Sequence, residues 1–189
     1  DILPNQVNRC TYTTTELRST DAPENQRLRV EFLSEEEFEE TKQGYEEVID
    51  NRDGREADEA AEDLKEIREH ESEIRLQLGR EPLVSGFREF GEITEEIWEY
   101  VAEPSKARAV KSVQLFSHEL MKMKGLVFHD VPGYDSPVGF HKELARKELA
   151  RADVIVFLMN LSNKVDLGDS ELQMLDVADR EDPTIKASD

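Results

Sequence analysis

The four residues Asp130-Val131-Pro132-Gly133 have the types and spacing to bind a metal ion and a phosphate group. They follow a short apolar run, residues 126–128, that is typical of a strand buried on both faces. An Asp that leaves such a strand can hold Mg²⁺, generally through water, because Mg²⁺ prefers oxygen ligands. A Gly three residues later lets its backbone amide approach a phosphate oxygen closely. The alternative is a structural turn that Asp130 caps, and the motif by itself leaves both interpretations open.

The segments around this motif predict an α/β domain. Residues 28–33 and 112–116 alternate apolar with polar side chains, which indicates half-buried strands of the antiparallel or edge type. Residues 126–128 and 154–159 are continuous apolar runs, which predict strands covered on both faces. Helical spacing of apolar residues within 138–152 places a helix between these two runs. We therefore expect a strand–helix–strand unit with a parallel pair of strands.

An acidic, mostly helical insertion is predicted at residues 35–103. This stretch contains 25 acidic and 8 basic residues, so it carries −17 of the chain's net charge of −20. Ser34 and Glu37 have the spacing of a helix-capping box and predict the start of the first helix. A second helix is expected at about 56–78, and a third at about 87–101, whose apolar face should pack hardest against the core. The charged faces of these helices are typical of a structural element exposed to solvent. The alternative is a surface that binds a partner.

Length and composition exclude several classes of protein. A chain of 189 residues is long enough for one domain with a sizeable core, and two independent domains are not expected. The net charge of −20 argues against a groove for nucleic acid and against binding to an anionic membrane surface. Cys10 is the single cysteine, which excludes an intramolecular disulfide. The longest apolar run, residues 154–159, is far shorter than the roughly 20 residues of a membrane span.

Four segments resemble the dynamin superfamily of large GTPases. Leu-Val-Phe-His-Asp-Val-Pro-Gly at residues 126–133 is similar to the switch II strand and its Asp-x-x-Gly motif. Residues 1–12 are similar to the segment that leads into switch I, and residues 28–37 to a strand and helix of the family. Residues 152–157 are similar to the next core strand. The resemblance covers residues 1–37 and 106–189 and implies a partial P-loop GTPase domain over residues 1–189, with a mixed, mainly parallel sheet and the acidic insertion.

The resemblance also implies ligands and residue roles. It implies that the protein binds GTP with Mg²⁺, and that Thr11 is the switch I threonine. Thr11 and Asp130 would hold the Mg²⁺ ion, and Thr11 would close over the γ-phosphate. Pro132 and Gly133 would join the nucleotide site, with Gly133 sensing the γ-phosphate. Thr13, Thr14 and Thr15 compete with Thr11 for its role, or form a β-prone edge segment instead.

Two motifs of the family are not where the family has them. The sequence contains no Gly-x-x-x-x-Gly-Lys-Ser/Thr loop, and we expect that loop upstream of Asp1 in a longer protein. Asn163-Lys164-Val165-Asp166 spells the guanine-recognition motif, but it lies directly after the strand predicted at 154–159 and before a helix predicted at 168–180. Because the guanine motif should come after the following helix and strand, we reject this match and expect the motif beyond Asp189.

The functional prediction is GTP binding and hydrolysis by the full-length protein, with the fragment itself inactive. The alternative is a non-enzymatic interaction module that keeps the GTPase-like fold and binds a partner through the acidic helices. The resemblance adds a homodimer through the nucleotide face, and membrane association through regions outside this chain, as further options. We expect a cytoplasmic protein that does not bind nucleic acid, and the sequence leaves a nuclear location open.

Overall fold

A five-stranded mixed sheet organises the residues that the computed structural model describes, which are 13–51, 54–131 and 151–156. Its strands are β1 (Thr14–Ser19), β2 (Arg27–Phe32), β3 (Leu83–Gly86), β4 (Val110–Ser117) and β5 (Val127–Asp130). Their spatial order is β3-β2-β4-β1-β5. β1 and β4 run parallel, whereas the other three neighbouring pairs are antiparallel. The predicted α/β class with a mixed sheet is confirmed.

In the sequence, almost all of the described helical residues lie between β2 and β4. The helices are α1 (Glu35–Asn51), α2 (Arg55–Glu69), α3 (Glu71–Arg75), α4 (Phe90–Val101) and α5 (Pro104–Ala107). Short 3₁₀ helices at Pro23–Asn25 and His118–Met123 complete the connections. Within the described ranges, none of these helices combines the length and the apolar composition that crossing a membrane requires.

One core cluster lies between the sheet and α4. Alternation along β2 places Leu28, Val30 and Phe32 on the same face of the sheet, together with Val113 and Leu115 of β4. The side chains of Ile93, Ile97 and Val101, spaced at helical intervals on α4, cover that face. The half-buried strands and the packing of the third helix against the core were both predicted from the sequence, and both are confirmed. That this helix packs hardest of the three stays a prediction.

A second core cluster holds α1, α2 and α3 together. Its largest fully buried side chains are Phe38, Tyr45, Ile67 and Ile74. The predicted capping box begins α1: the Ser34 amide donates to Glu37 Oε2 at 2.8 Å, and the Glu37 amide donates to Ser34 Oγ at 3.1 Å. These reciprocal bonds satisfy backbone donors that would otherwise have no partner at the helix start.

The helix predicted at about 56–78 is confirmed as helical to Arg75, but it is wrong as one continuous helix. α2 ends at Glu69, α3 begins after His70, and a strand that the sequence analysis missed, β3, follows. β3 pairs antiparallel with β2 and forms an edge of the described sheet, so residues 83–86 belong to the same sheet as the flanking strands. The assignment of residues 35–103 as a single insertion stays a prediction.

Three further predictions about the sheet and its strands are wrong. The described sheet is not mainly parallel, because β5 runs antiparallel to β1. β5, the other edge strand of the described sheet, is also not covered on both faces, since Val127 and Phe128 expose 40% and 39% of their surfaces. The described part of the strand predicted at 154–159, residues 154–156, has no strand structure, and Val154 exposes 78%. Most of the helix predicted within 138–152 lies outside the described residues.

Arg108, between α5 and β4, connects the helical cluster to the sheet. Its guanidinium donates to the Tyr45 hydroxyl on α1 at 2.8 Å, and to the carboxylates of Asp63 and Glu66 on α2 at 2.5 and 2.7 Å. Just 5% of the Arg108 side chain is exposed. Because β4 begins two residues later, this buried charge fixes α1 and α2 to the segment that enters the sheet.

Candidate functional site

Asp130 is the last residue of β5, at one edge of the described sheet. The other site residues that the sequence analysis named, Thr11, Pro132 and Gly133, lie outside the described residues. The rejected guanine motif at 163–166 lies outside them as well. The described part of the candidate site therefore consists of Asp130 and its neighbours on β1.

The threonine run enters the sheet as the start of β1. Thr13, Thr14 and Thr15 are all buried, and Thr15 exposes 1% of its surface. The Thr13 hydroxyl donates to the backbone carbonyl of Lys111, on β4, at 3.0 Å. The β-prone character of this run is confirmed, but β1 lies between β4 and β5, so the edge position considered for it is wrong.

The pairing of β1 with β5 places Thr15 opposite Asp130. Directly opposed residues of antiparallel strands point to the same face of the sheet, with Cβ atoms about 4.5–5.5 Å apart. Thr14 points to the opposite face, because successive residues of a strand alternate between faces. Thr15 is thus the member of the threonine run whose side chain shares a face with Asp130.

The Thr15 hydroxyl has no hydrogen-bond partner, and the Asp130 carboxyl is half-buried. The hydroxyls of Thr14 and Thr15 are buried without a hydrogen-bond partner in the described structure. Buried polar atoms are nearly always paired, so an unpaired hydroxyl beside a carboxylate is a candidate contact for a ligand or for that carboxylate. Burial raises the pKa of Asp130 above its usual value of 3.8, and no protein contact resolved here opposes that shift.

The raised pKa of Asp130 makes the charged carboxylate costly in the folded, metal-free protein. Well below pH 3.8 the Asp130 carboxyl is protonated in both the folded and the unfolded protein, so its burial costs no stability. The destabilisation appears as the pH rises above 3.8, because the unfolded protein then loses the proton more readily than the folded protein does. We therefore expect Asp130→Asn to raise the Tm of the metal-free full-length protein at pH 7, by about 2–4 °C for each 1 kcal/mol removed. Thermal unfolding in EDTA at pH 3.5 and pH 7 measures this effect. An equal shift at both pH values would contradict it.

The opposite face of β1 carries a network of charged and polar groups. Arg18 donates to Glu16 Oε2 at 2.8 Å, and Gln114 of β4 donates to the same oxygen at 2.8 Å. The hydrogen bond from Arg18 lowers the pKa of Glu16, although its burial acts in the opposite direction. His129, next to Asp130, has its Nε2 3.7 Å from Glu16 Oε1. His129 thus points into this network, away from the face that carries Thr15 and Asp130.

The donors around Asp130 fit Mg²⁺. The described residues contain no group of three or more His, Cys, Asp or Glu side chains arranged to hold a metal ion. Mg²⁺ commonly binds through one or two carboxylates, keeps several waters, and takes further ligands from substrate phosphates. A half-buried carboxylate beside an unpaired hydroxyl supplies oxygen donors of that kind. Asp130 would hold the ion, together with Thr11 as the resemblance implies.

Two parts of this arrangement were missed by sequence reasoning. These are the hydrogen bond from Thr13 to Lys111 and the position of Thr15 opposite Asp130. Each joins segments that are about 100 residues apart in the sequence. No local periodicity reports such a pairing. The enrichment of β-branched threonine was the available signal for β1, and it does not specify which strands lie on either side.

Comparisons with known proteins agree on one family. The model of the Dynamin family matches residues 1–185. Among solved structures, one similar chain comes from an oligomerised bacterial dynamin pair, described as providing a mechanism for long-range sensing and tethering of membranes. The TM-score is 0.51 and the sequence identity 17%, and the match covers 87% of this chain and 24% of the bacterial one. No curated protein gave a significant match.

The structural similarity at this identity shows the fold, and the family match extends over nearly the whole sequence. The α/β sheet, with Asp130 at the end of β5 in an Asp-x-x-Gly motif, agrees with both findings. The chain belongs to the dynamin family and has the α/β fold of a dynamin-type GTPase domain.

Proposed function

We propose that this chain supplies the switch I and switch II segments of a dynamin-like protein that binds and hydrolyses GTP with Mg²⁺. The observation that carries the proposal is Asp130: its carboxylate ends β5 half-buried, beside the unpaired hydroxyl of Thr15. The family match across residues 1–185 supports GTP as the nucleotide. A site built for Mg²⁺ and phosphate would need an oxygen donor at this position.

Each residue of the proposed site has one task. Asp130 and Thr11 would hold the ion, and Pro132 and Gly133 would contact the γ-phosphate through the backbone, with Gly133 sensing its loss on hydrolysis. Mg²⁺, when bound, neutralises charge on the phosphate oxygens. The protein's contribution is otherwise to position the nucleotide and stabilise charge in the transition state.

This chain corresponds to 24% of the bacterial dynamin chain that it resembles, so oligomerisation and membrane contact are proposals about the full-length protein. We propose a homodimer through the nucleotide face and membrane association through regions outside this chain. The net charge of −20 supports neither nucleic acid nor an anionic lipid surface as a direct partner of these residues. We propose a cytoplasmic location, with membrane association through those other regions.

A second candidate function follows from the helical cluster. α1, α2 and α3 share a core with Leu33 and Ala109, which adjoin β2 and β4, and most of the charged side chains of the helices face solvent. A non-enzymatic interaction module would use these acidic helices to bind a partner and would not bind nucleotide. A full-length protein that folds normally and binds no GTP would favour this candidate over the GTPase.

The test is Mg²⁺-dependent GTP hydrolysis by the full-length protein and its Asp130→Ala and Thr11→Ala variants. We expect turnover to fall about 100- to 1,000-fold in each, the usual scale for removing one group that stabilises transition-state charge. Asp21→Ala is the matched control, because Asp21 is an exposed carboxylate paired with Lys124 at 2.7 Å, and its turnover should equal that of the wild type. Unchanged turnover in Asp130→Ala would contradict the proposal.

A further inference from the structure

Thr15 lies directly opposite Asp130 in the pairing of β1 with β5. Thr15 is 1% exposed and its hydroxyl has no partner in the described structure. Replacing an unpaired buried hydroxyl by a methyl group is usually neutral or stabilising, so a Thr at such a position needs an explanation. The register places this hydroxyl on the same face as the Asp130 carboxylate, in the directly opposed position.

Neither Thr13 nor Thr14 combines an unpaired hydroxyl with a position facing Asp130. Thr13 already donates its hydroxyl hydrogen to the Lys111 carbonyl at 3.0 Å. Thr14 is also buried and unpaired, but alternation along β1 directs its side chain away from Asp130. Thr15 alone in this run combines an unused hydroxyl with a position facing the carboxylate.

We propose that Thr15 is a positioning residue: its hydroxyl, unpaired in the structure, rotates to donate a hydrogen bond to the Asp130 carboxylate when hydrated Mg²⁺ binds there, and so fixes the orientation of that carboxylate. An ionised carboxylate accepts about four hydrogen bonds, so one bond from Thr15 leaves acceptor sites for waters of the ion. Groups that orient a metal ligand in this way typically contribute about 10- to 100-fold to metal affinity. The inference rests on the proposed function, because Mg²⁺ is the ion of the proposed GTPase site.

The experiment measures Mn²⁺, as a probe for Mg²⁺, bound to the full-length protein in the presence of GDP, from the EPR signal of free Mn²⁺. Thr15→Val removes the hydroxyl and keeps the shape, and we expect affinity to fall about 10- to 100-fold. Thr15→Ser keeps the hydroxyl and should bind within about threefold of the wild type. Thr14→Val is the matched control, because it removes an equally unpaired hydroxyl from the other face, and its affinity should not change.

Three results would overturn the inference: Thr15→Val binding Mn²⁺ as the wild type does, Thr14→Val losing as much affinity as Thr15→Val, or Thr15→Ser losing as much as Thr15→Val. A wild-type protein without detectable Mn²⁺ binding would overturn it as well. Absence of GTP hydrolysis alongside the expected Mn²⁺ pattern would contradict the proposed function and leave the role of Thr15 supported.

Discussion

Arg108→Met should lower the free energy of unfolding by about 3 kcal/mol, because it removes a buried cation that two carboxylates contact. Asp63 and Glu66 on α2 both contact the Arg108 guanidinium, and their side chains expose 13% and 32%. Burial acts against the charge of Arg108, but Tyr45 and the two carboxylates outweigh it and raise its pKa. Arg108 is therefore charged throughout the accessible pH range. Urea unfolding of the full-length protein measures the effect.

The matched control is Arg75→Met, which removes the same charge from a more exposed position. Arg75 also pairs with several carboxylates, those of Glu35, Glu39 and Glu71, but 37% of its side chain is exposed. Exposed ion pairs contribute about 1 kcal/mol or less, so this variant should lose little stability. Adding Asp63→Asn and Glu66→Gln to Arg108→Met neutralises the two carboxylates that contact Arg108 and should restore part of the lost stability. Equal losses for the two arginines would contradict this account.

Phe38→Ala destabilises the helical cluster by about 3–5 kcal/mol and leaves the sheet folded. Phe38 on α1 is 1% exposed and packs in the cluster formed by α1, α2 and α3. Lys42 Nζ and Arg75 Cζ lie 5.6 and 5.4 Å from the centre of its ring, so truncation also removes two cation–π contacts. The cluster between the sheet and α4 has no member in common with this one. The loss should therefore be local.

Hydrogen exchange of the full-length protein measures this difference by segment. In Phe38→Ala, amides of α1 and α2 should exchange faster, whereas those of β4 and α4 should keep their protection. Phe38→Leu is the control that retains most of the apolar volume, and it should cost about 1.5 kcal/mol or less. If β4 and α4 lost protection to the same extent as α1, the two clusters would form one cooperative unit, contrary to this prediction.

The sequence by itself determined the local features of this protein. The capping box of Ser34 and Glu37, the apolar face of α4 and the alternation along β2 each follow from residues within a few positions of one another. The resemblance to the dynamin superfamily came from a short motif, Asp130 to Gly133, and from the segments around it, and the family match confirms that assignment. Such signals are local because helix and strand periods repeat every 3.6 and 2 residues.

Tertiary structure alone decided which distant segments meet. Apolar run length predicted that residues 126–128 form a strand covered on both faces, but it cannot show that β5 pairs antiparallel with β1 at an edge of the described sheet. For the same reason, the sequence did not predict β3, the contacts of Arg108 with α1 and α2, or the position of Thr15 opposite Asp130. A repeating pattern tells which face of a strand or helix is buried. The partner of that face depends on pairings between segments far apart in the chain, and register there changes which side chains meet.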